Sequence, residues 1–277
     1  LEDAAWGIHA IVNTNMELAT RVVSIERGRD PRDLTLVAFG GSGPVHGCRL
    51  AQALAVPRVI LPAAAGVTAA IGLLAAEVRF DVARTYVRRL DAVDPASLNA
   101  MYGEMAAQAL EVVRESAVGG EIAVARAADA RYVGQGYELT VPVPSGPLDA
   151  AALARVRASF DEIYAARYGY ANAKEPVEIV TWKLSAVGGS PQIALAKASG
   201  RSGAAALKGT RRAYFPEARG YVDTPVYDRY ALAAGIRIGG PAIVEEREST
   251  TVLPPGTAAT VDAYASLIVE VGGVDAR

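Results

Sequence analysis

The 277 residues carry 51% hydrophobic and 21% charged side chains, the proportions of a folded globular chain, which excludes intrinsic disorder. Lys plus Arg at 28 against Asp plus Glu at 30 leaves a net charge of −2, excluding a basic footprint for nucleic acid or a polybasic membrane patch. Length sets two domains as the prior, and the single Cys48 excludes an internal disulfide framework and fits a reducing, cytoplasmic setting.

Leu1-Glu2-Asp3 has neither the basic start nor the apolar centre of a signal peptide, and with no initiator Met the chain is expected to begin inside a longer protein. Ala4 to Arg27 reads as one helix, with Ile8, Ile11, Val12, Met16, Ala19, Val22 and Val23 on one face. Asn13 and Asn15 within it are expected to face solvent. Asp30-Pro31 breaks the helix before an apolar strand over Leu36, Val37, Ala38 and Phe39. That strand runs into Gly40-Gly41-Ser42-Gly43, and Pro44 opens a helix to about Ala55. Arg58 to Leu61 is a second strand. The uncharged stretch Val59 to Ala76 reaches the length of a membrane span, but Pro62 and Gly66 break it. It reads instead as that strand followed by a buried helix through Val67, Ala70, Ile71, Leu74 and Val78.

Strand, helix, strand, helix is the grammar of an α/β layer, assigned to residues 1–90. Asp94-Pro95 caps a helix to about Ser116. Glu121 to Val143 alternates as a hairpin with its turn at Gly134-Gln135-Gly136, Asp149 caps a helix ending at Gly169, and Val177 to Val187 is a strand. Residues 91–195 are therefore expected to form an α+β unit. Residues 196–210, rich in Ala, Gly, Ser and Lys, read as a linker or mobile loop. From 211 to 277, strands at Ala242 to Val244, Thr250 to Leu253, Ala258 to Val261 and Leu267 to Val271 predict a small all-β module. Its turns are expected at Asp223-Thr224-Pro225, Gly239-Gly240-Pro241 and Pro254-Pro255-Gly256.

The glycine turn invites a phosphate, since glycine lets a ligand approach the backbone and a helix N-terminus favours an anion. A P-loop would need Lys and Ser/Thr after the last glycine, where this chain has Pro44, Val45 and His46. A dinucleotide turn would need G-x-G-x-x-G and an acid near the next strand, and Arg58 to Gly66 holds no carboxylate. Two readings stay open on spacing alone: a tight αβ turn, or the second half of an actin-like or sugar-kinase-like ATPase. In the latter, a strand ending in Gly-Gly, a short strand and a small-residue helix such as Thr68-Ala69-Ala70-Ile71-Gly72 enclose a nucleotide.

FGGSGPVHGC, preceded by DPRDLTLVA and followed by VPRVILPAAAGVTAAIGLLAAEVR, resembles the hydantoinase A and 5-oxoprolinase family. RYVGQGYELTV, YGY followed by VEIVTWKLSAVG, PVYDRYAL and GPAIVEERESTTVLPPG continue the resemblance in order over essentially the whole chain. The resemblance implies the C-terminal portion of an ATP-dependent enzyme opening a cyclic amide such as 5-oxoproline or an N-substituted hydantoin, with Mg²⁺ shielding the phosphoryl group. It implies two partners: the N-terminal part of the same protein, holding the other wall of the ATP cleft, and a hydantoinase B-type subunit or domain. Acetone- and acetophenone-type carboxylase subunits are similar and stay an alternative, as does a noncatalytic assembly module. The isolated chain is expected to be inactive.

On the resemblance, Gly40, Gly41, Ser42 and Gly43 face ribose and phosphates, with Ser42 in place of a more usual Ala. His46 is a candidate phosphate or substrate contact, with a local structural role as its alternative. Arg131, Gln135 and Glu138, together with Tyr132, are candidates for a substrate or partner face, against simple solvation of a strand edge. Tyr164 stands where many members have His, and Asp81 has no assigned role. Cys48 is expected to be a small buried hydrophobe, His9 structural, and no metal site is expected. Glu245, Glu246 and Glu248 are expected along a solvated strand edge or a subunit contact.

Overall fold

The computed structural model describes residues 2–116, 119–189, 191, 193–195, 197–198 and 206–271. The chain begins with α1 (Glu2–Glu26), β1 (Thr35–Val37), α2 (Gly43–Leu54), β2 (Arg58–Leu61) and α3 (Thr68–Ala75). It continues through β3 (Arg79–Arg89), α4 (Pro95–Glu115), β4 (Ala123–Tyr132), β5 (Leu139–Val143), α5 (Ala150–Tyr168) and β6 (Val177–Val187). Seven strands complete it: β7 (Leu207–Phe215), β8 (Gly220–Asp228), β9 (Arg237–Gly239), β10 (Ala242–Glu245), β11 (Thr250–Leu253), β12 (Thr257–Val261) and β13 (Leu267–Val271). The fold is mixed α/β with three sheets, divided into two compact units: residues 1–74 with 193–277, and residues 75–192.

The unit of residues 75–192 is an antiparallel sheet in the order β3-β6-β4-β5, with α4 against β3 and β6 and α5 against β5. Local chemistry fixes both helices. The Asp94 carboxylate accepts from the Ser97 amide at 2.9 Å, and that of Asp149 from the Ala152 amide at 2.7 Å. Gly169 ends α5 at φ 82°, a conformation glycine adopts without strain. Tyr102, Phe160 and Trp182 fill the core. The polar atoms of two are satisfied there: the Tyr102 hydroxyl donates to the Ala127 carbonyl at 3.1 Å, and the Trp182 indole to that of Tyr86 at 3.3 Å.

In the other unit, β1 and β2 are parallel, and β13, β12 and β9 extend their sheet antiparallel from β2. A second sheet runs β11-β10-β8-β7. Helix α2 packs on β2 and β13 of the first sheet and on β11 of the second, burying Cys48, Ala51 and Leu54. Gly47 permits that approach, since a Cβ there would stand 2.8 Å from the Ala38 Cβ. Among the described residues no helix is long and apolar enough to cross a membrane.

Several sequence expectations are corrected. Strands β9, β12 and β13 belong to the sheet of β1 and β2, so the C-terminal strands are not a self-contained module, and the first segment does not reach residue 90. Arg79–Arg89, to which sequence alone assigns no element, is β3 and pairs with β6 along its length. Part of the expected linker, Leu207 to Thr210, is the start of β7, while residues 196 and 199–205 lie outside the described residues. Asp223-Thr224-Pro225 is not a turn but the middle of β8. Pairing with β10 begins only at Val226, so the missing Pro225 N–H breaks no bond of that ladder. Helix α3 stops at Ala75 and buries none of its residues, with Leu73 and Leu74 exposed. The periodic face of α1 is likewise uncovered, and Asn13 is its buried residue.

Candidate functional site

Strand β1 ends where Ala38 donates to the Ile60 carbonyl at 3.0 Å, and the chain then turns through Gly40 at φ 90° into α2. A Cβ on Gly40 would meet nothing within 4 Å, and one on Gly41 only the Glu248 carbonyl oxygen at 3.8 Å. The space over the turn is therefore open, and the backbone is what faces it. Ser42 is exposed at the N-cap position of α2, and its hydroxyl makes no capping bond.

The cradle rests on a buried ion pair that no local pattern announces. The Gly40 amide donates to the Ala65 carbonyl at 2.7 Å, and the Ala65 amide donates to the Glu246 carboxylate at 3.2 Å. The neighbouring Ala64 is held in the left-handed region at φ 55°. Glu246 faces Arg229 at 3.4 Å, with the side chains 1% and 2% exposed. Arg229 also donates to the Leu61 carbonyl at 2.7 Å and the Ala265 carbonyl at 2.9 Å. Burial pushes the Glu246 carboxyl up and the Arg229 guanidinium down, and each charge opposes the shift of the other. A Cβ on Gly66 would collide with the backbone of Glu248, so the 64–66 turn and the 246–249 loop are in direct contact. Of the acidic cluster expected at a solvated edge, Glu246 is thus a buried strut. Glu245 pairs with Lys208 and Arg211, and Glu248 accepts from the Tyr230 hydroxyl at 3.3 Å.

His46 turns toward α1. The Asn13 amide nitrogen donates to the His9 carbonyl at 3.0 Å, which aims the Asn13 oxygen at His46 Nδ1, 3.1 Å away. An oxygen there can only accept, so Nδ1 carries the proton and Nε2 is the acceptor of the neutral ring. His9, distant in sequence, stacks on His46 with centroids 4.8 Å apart and planes at 17°. Burial lowers both pKa values below the ordinary 6.5, with the His46 and Arg49 charges adding to the effect on His9. A neutral His46 presents an acceptor at Nε2, a poor donor for phosphate. Between the lowered folded values and 6.5 the unfolded chain binds more protons than the folded one, so stability should be complete above pH 6.5 and decline as pH falls below it. Urea midpoints from pH 5 to 8 check this. His9→Gln should flatten the profile, and an equally steep decline in that variant would rule the stack out as its source.

Cys48 is fully buried and its thiol is pushed up to about 12, leaving no nucleophile. In the other unit, Arg131 bridges Glu178 at 2.8 Å and Glu138 at 2.9 Å, while the Gln135 amide donates to the Tyr164 hydroxyl at 2.8 Å. Arg131 and Glu138 are thus brought together, Gln135 joins an aromatic cluster instead, and Tyr137 between them is 85% exposed. The Asp81 carboxylate is held below the usual range by hydrogen bonds from Ser185 and Arg79. Among the described residues no group of three or more His, Cys, Asp or Glu side chains could hold a metal ion.

Residues 1–82 match the family model described as Hydantoinase/oxoprolinase, and residues 89–270 match the Hydantoinase/oxoprolinase C-terminal domain. The chain is 33% identical over 272 residues to an uncharacterized protein of Methanocaldococcus jannaschii, covering 98% of this chain and 38% of that protein. It is 32% identical over 275 residues to caprolactamase subunit alpha of Pseudomonas jessenii, covering 96% of this chain and 39% of that one. The solved structure of ATP-dependent caprolactamase from the same organism superposes with a TM-score of 0.68 at 32% identity, over 98% of this chain and 40% of that one. A nucleotide-free acetone carboxylase structure superposes with a TM-score of 0.77 at 22% identity, over 98% and 40%, and shares the fold. The chain spans about two-fifths of the length of these relatives.

Proposed function

The chain belongs to the hydantoinase/oxoprolinase family, and from that premise we propose that it is part of an ATP-dependent enzyme opening a cyclic amide, with its glycine turn forming one wall of the nucleotide cleft. The observation that carries the reading is the cradle. Gly40 and Gly41 leave it uncovered, it lies just ahead of the N-terminus of α2, and Glu246 accepts from the Ala65 amide, whose carbonyl in turn accepts from Gly40. A Cβ-free, anion-favouring backbone fits a nucleotide's ribose and phosphates. The expected Mg²⁺ finds no comparable ligand set among the described residues.

A cyclic amide is a poor electrophile. Bound ATP would supply the phosphoryl group that turns its carbonyl oxygen into a leaving group. The residues of this chain would bind and orient: the backbone of Gly40 to Gly43 would approach the nucleotide, and the Ser42 hydroxyl, free of any capping bond, would be available to donate to it. Glu246 and Arg229 fix the 64–66 turn against which Gly40 is pinned. The hairpin turn bearing Arg131, Gln135 and Glu138 is the proposed face toward a hydantoinase B-type subunit, in keeping with relatives named as subunits.

The test is ATP turnover by the complete polypeptide with its partner subunit, offered caprolactam, 5-oxoproline, a hydantoin, or acetophenone with bicarbonate. Stimulation by a cyclic amide is expected. Stimulation by the ketone alone would move the protein to the carboxylases, of which the acetophenone carboxylase gamma subunit of Aromatoleum aromaticum is 28% identical over 295 residues, covering 97% of this chain and 38% of that protein. The 277-residue chain alone should show no turnover.

A further inference from the structure

In the unit of residues 75–192 a hollow of about 390 Å³ opens between α5, the short turn Leu90–Ala92 that follows β3, and the start of β6. That volume suits a small molecule, whose sites are apolar with a few charged groups to fix orientation. Leu90, Val93, Pro95, Leu153 and Val177 supply apolar wall, and Asp91 and Arg157 are its charged members. The hollow exists because α5 carries alanine where its exposed side meets it. Ala150 and Ala154 stand one turn apart, and a larger side chain at either would fill the space.

Arg157 is held in place before any ligand arrives. Its Nε donates to the Asp161 carboxylate at 2.9 Å, Nη1 to the Glu175 carbonyl at 2.7 Å and Nη2 to the Asn172 carbonyl at 3.0 Å. Each terminal nitrogen carries a second N–H that makes none of these bonds, which suits the paired oxygens of a carboxylate. Asp91 accepts from Arg89 at 2.5 Å, and its exposed carboxylate keeps lone pairs for a second donor. Both charges lie at the same end of the hollow. Glu175, which Arg157 holds, precedes Pro176 of the wall, while Arg89, just before Asp91, pairs with Glu178 across the β3–β6 ladder. From that end the apolar wall runs back along α5 to Ala150, about 10 Å away at the rise of a helix.

We infer that this hollow binds a free α-amino acid with an apolar side chain. The carboxylate takes the unused N–H groups of Arg157, the ammonium takes the Asp91 carboxylate, and the side chain lies along Leu90, Val93 and Leu153. A plain carboxylic acid would set its charge beside Asp91, and a plain amine would face Arg157. A molecule carrying both charges at one end answers both groups, and each lone charge is rejected by one of them. An acidic side chain is disfavoured at the far end, where the carboxylates of Asp94 and Asp149 cap α4 and α5. The hollow belongs to a different unit from the glycine turn, and the inference does not depend on ATP binding.

Calorimetric titration of the complete polypeptide tests it, with L-leucine and L-phenylalanine as probes. Isocaproate, isopentylamine, L-glutamate and L-lysine are the controls. At least one probe should bind about tenfold or more tightly than every control, the worth of one charge-assisted hydrogen bond. Asp91→Asn and Arg157→Gln should each weaken that binding about tenfold. Ala154→Trp fills the hollow from an exposed position, so it should abolish binding while shifting the Tm by less than about 2 °C. Binding of neither probe, equal binding of isocaproate or isopentylamine, or binding that survives Ala154→Trp would overturn the proposal. Arg157→Gln also removes the bonds to the 172–175 loop, so if that variant fails to fold, Asp91→Asn and Ala154→Trp decide the matter.

Discussion

Gly41→Val in the complete polypeptide should weaken ATP binding about 100-fold while leaving the urea midpoint close to that of the parent. The two effects separate because of where the new atoms go. A Cβ at this position stands at ordinary contact distance from the Glu248 carbonyl, so it displaces nothing in the fold. The two methyl groups beyond it project into the cradle and hold a phosphate or ribose away from the backbone. Losing one or two charge-assisted hydrogen bonds costs about 1.5–3 kcal/mol each, and about 2.7 kcal/mol corresponds to the expected hundredfold. Calorimetric titration with ATP reads the affinity, and an unchanged value would remove the glycine turn from the nucleotide site.

The largest effect on stability is expected from Glu246→Ala, at about 3–5 kcal/mol. That substitution leaves the Arg229 guanidinium, 2% exposed, without its carboxylate, and deprives the Ala65 amide of its acceptor. The pair itself need not stabilise the fold, because desolvating two charges offsets most of their attraction; what is costly is one charge left alone. Arg229→Met combined with Glu246→Leu should therefore recover much of the loss in a urea titration. It should not recover ATP affinity, since the 64–66 turn still lacks the carboxylate that positions it behind Gly40. Full recovery of both would show the ion pair to be filler, with no hold on the cradle.

What was legible in the sequence is what neighbouring residues decide. Asp94-Pro95 and Asp149 start α4 and α5 by hydrogen bonds to amides two or three residues away, and Gly169 stops α5 through its own φ. The strands Arg58–Leu61 and Val177–Val187 are bounded as their apolar patterns predict. The glycine turn and the helix it opens follow from Gly40 and Pro44 alone. The family, too, was readable, because its motifs are short and continuous.

The misreadings all concern partners far away along the chain. Asn13 looks like a solvent-facing helix residue until His46, 33 positions on, is placed against it. Glu246 looks like one of three surface acids until the fold sets Arg229 before it and the Ala65 amide, 181 positions earlier, against its carboxylate. Periodicity showed that α1 has an apolar face but not what covers it, since a stripe specifies that burial is favourable and not which surface supplies it. The sequence by itself therefore determined the helices, the glycine turn and the family, all encoded in contacts a few residues apart. Only the tertiary structure decided that β13 pairs with β2 across nearly the whole chain, and that a buried carboxylate braces the glycine turn. Such pairings depend on which distant segments meet, and residue spacing carries no record of that.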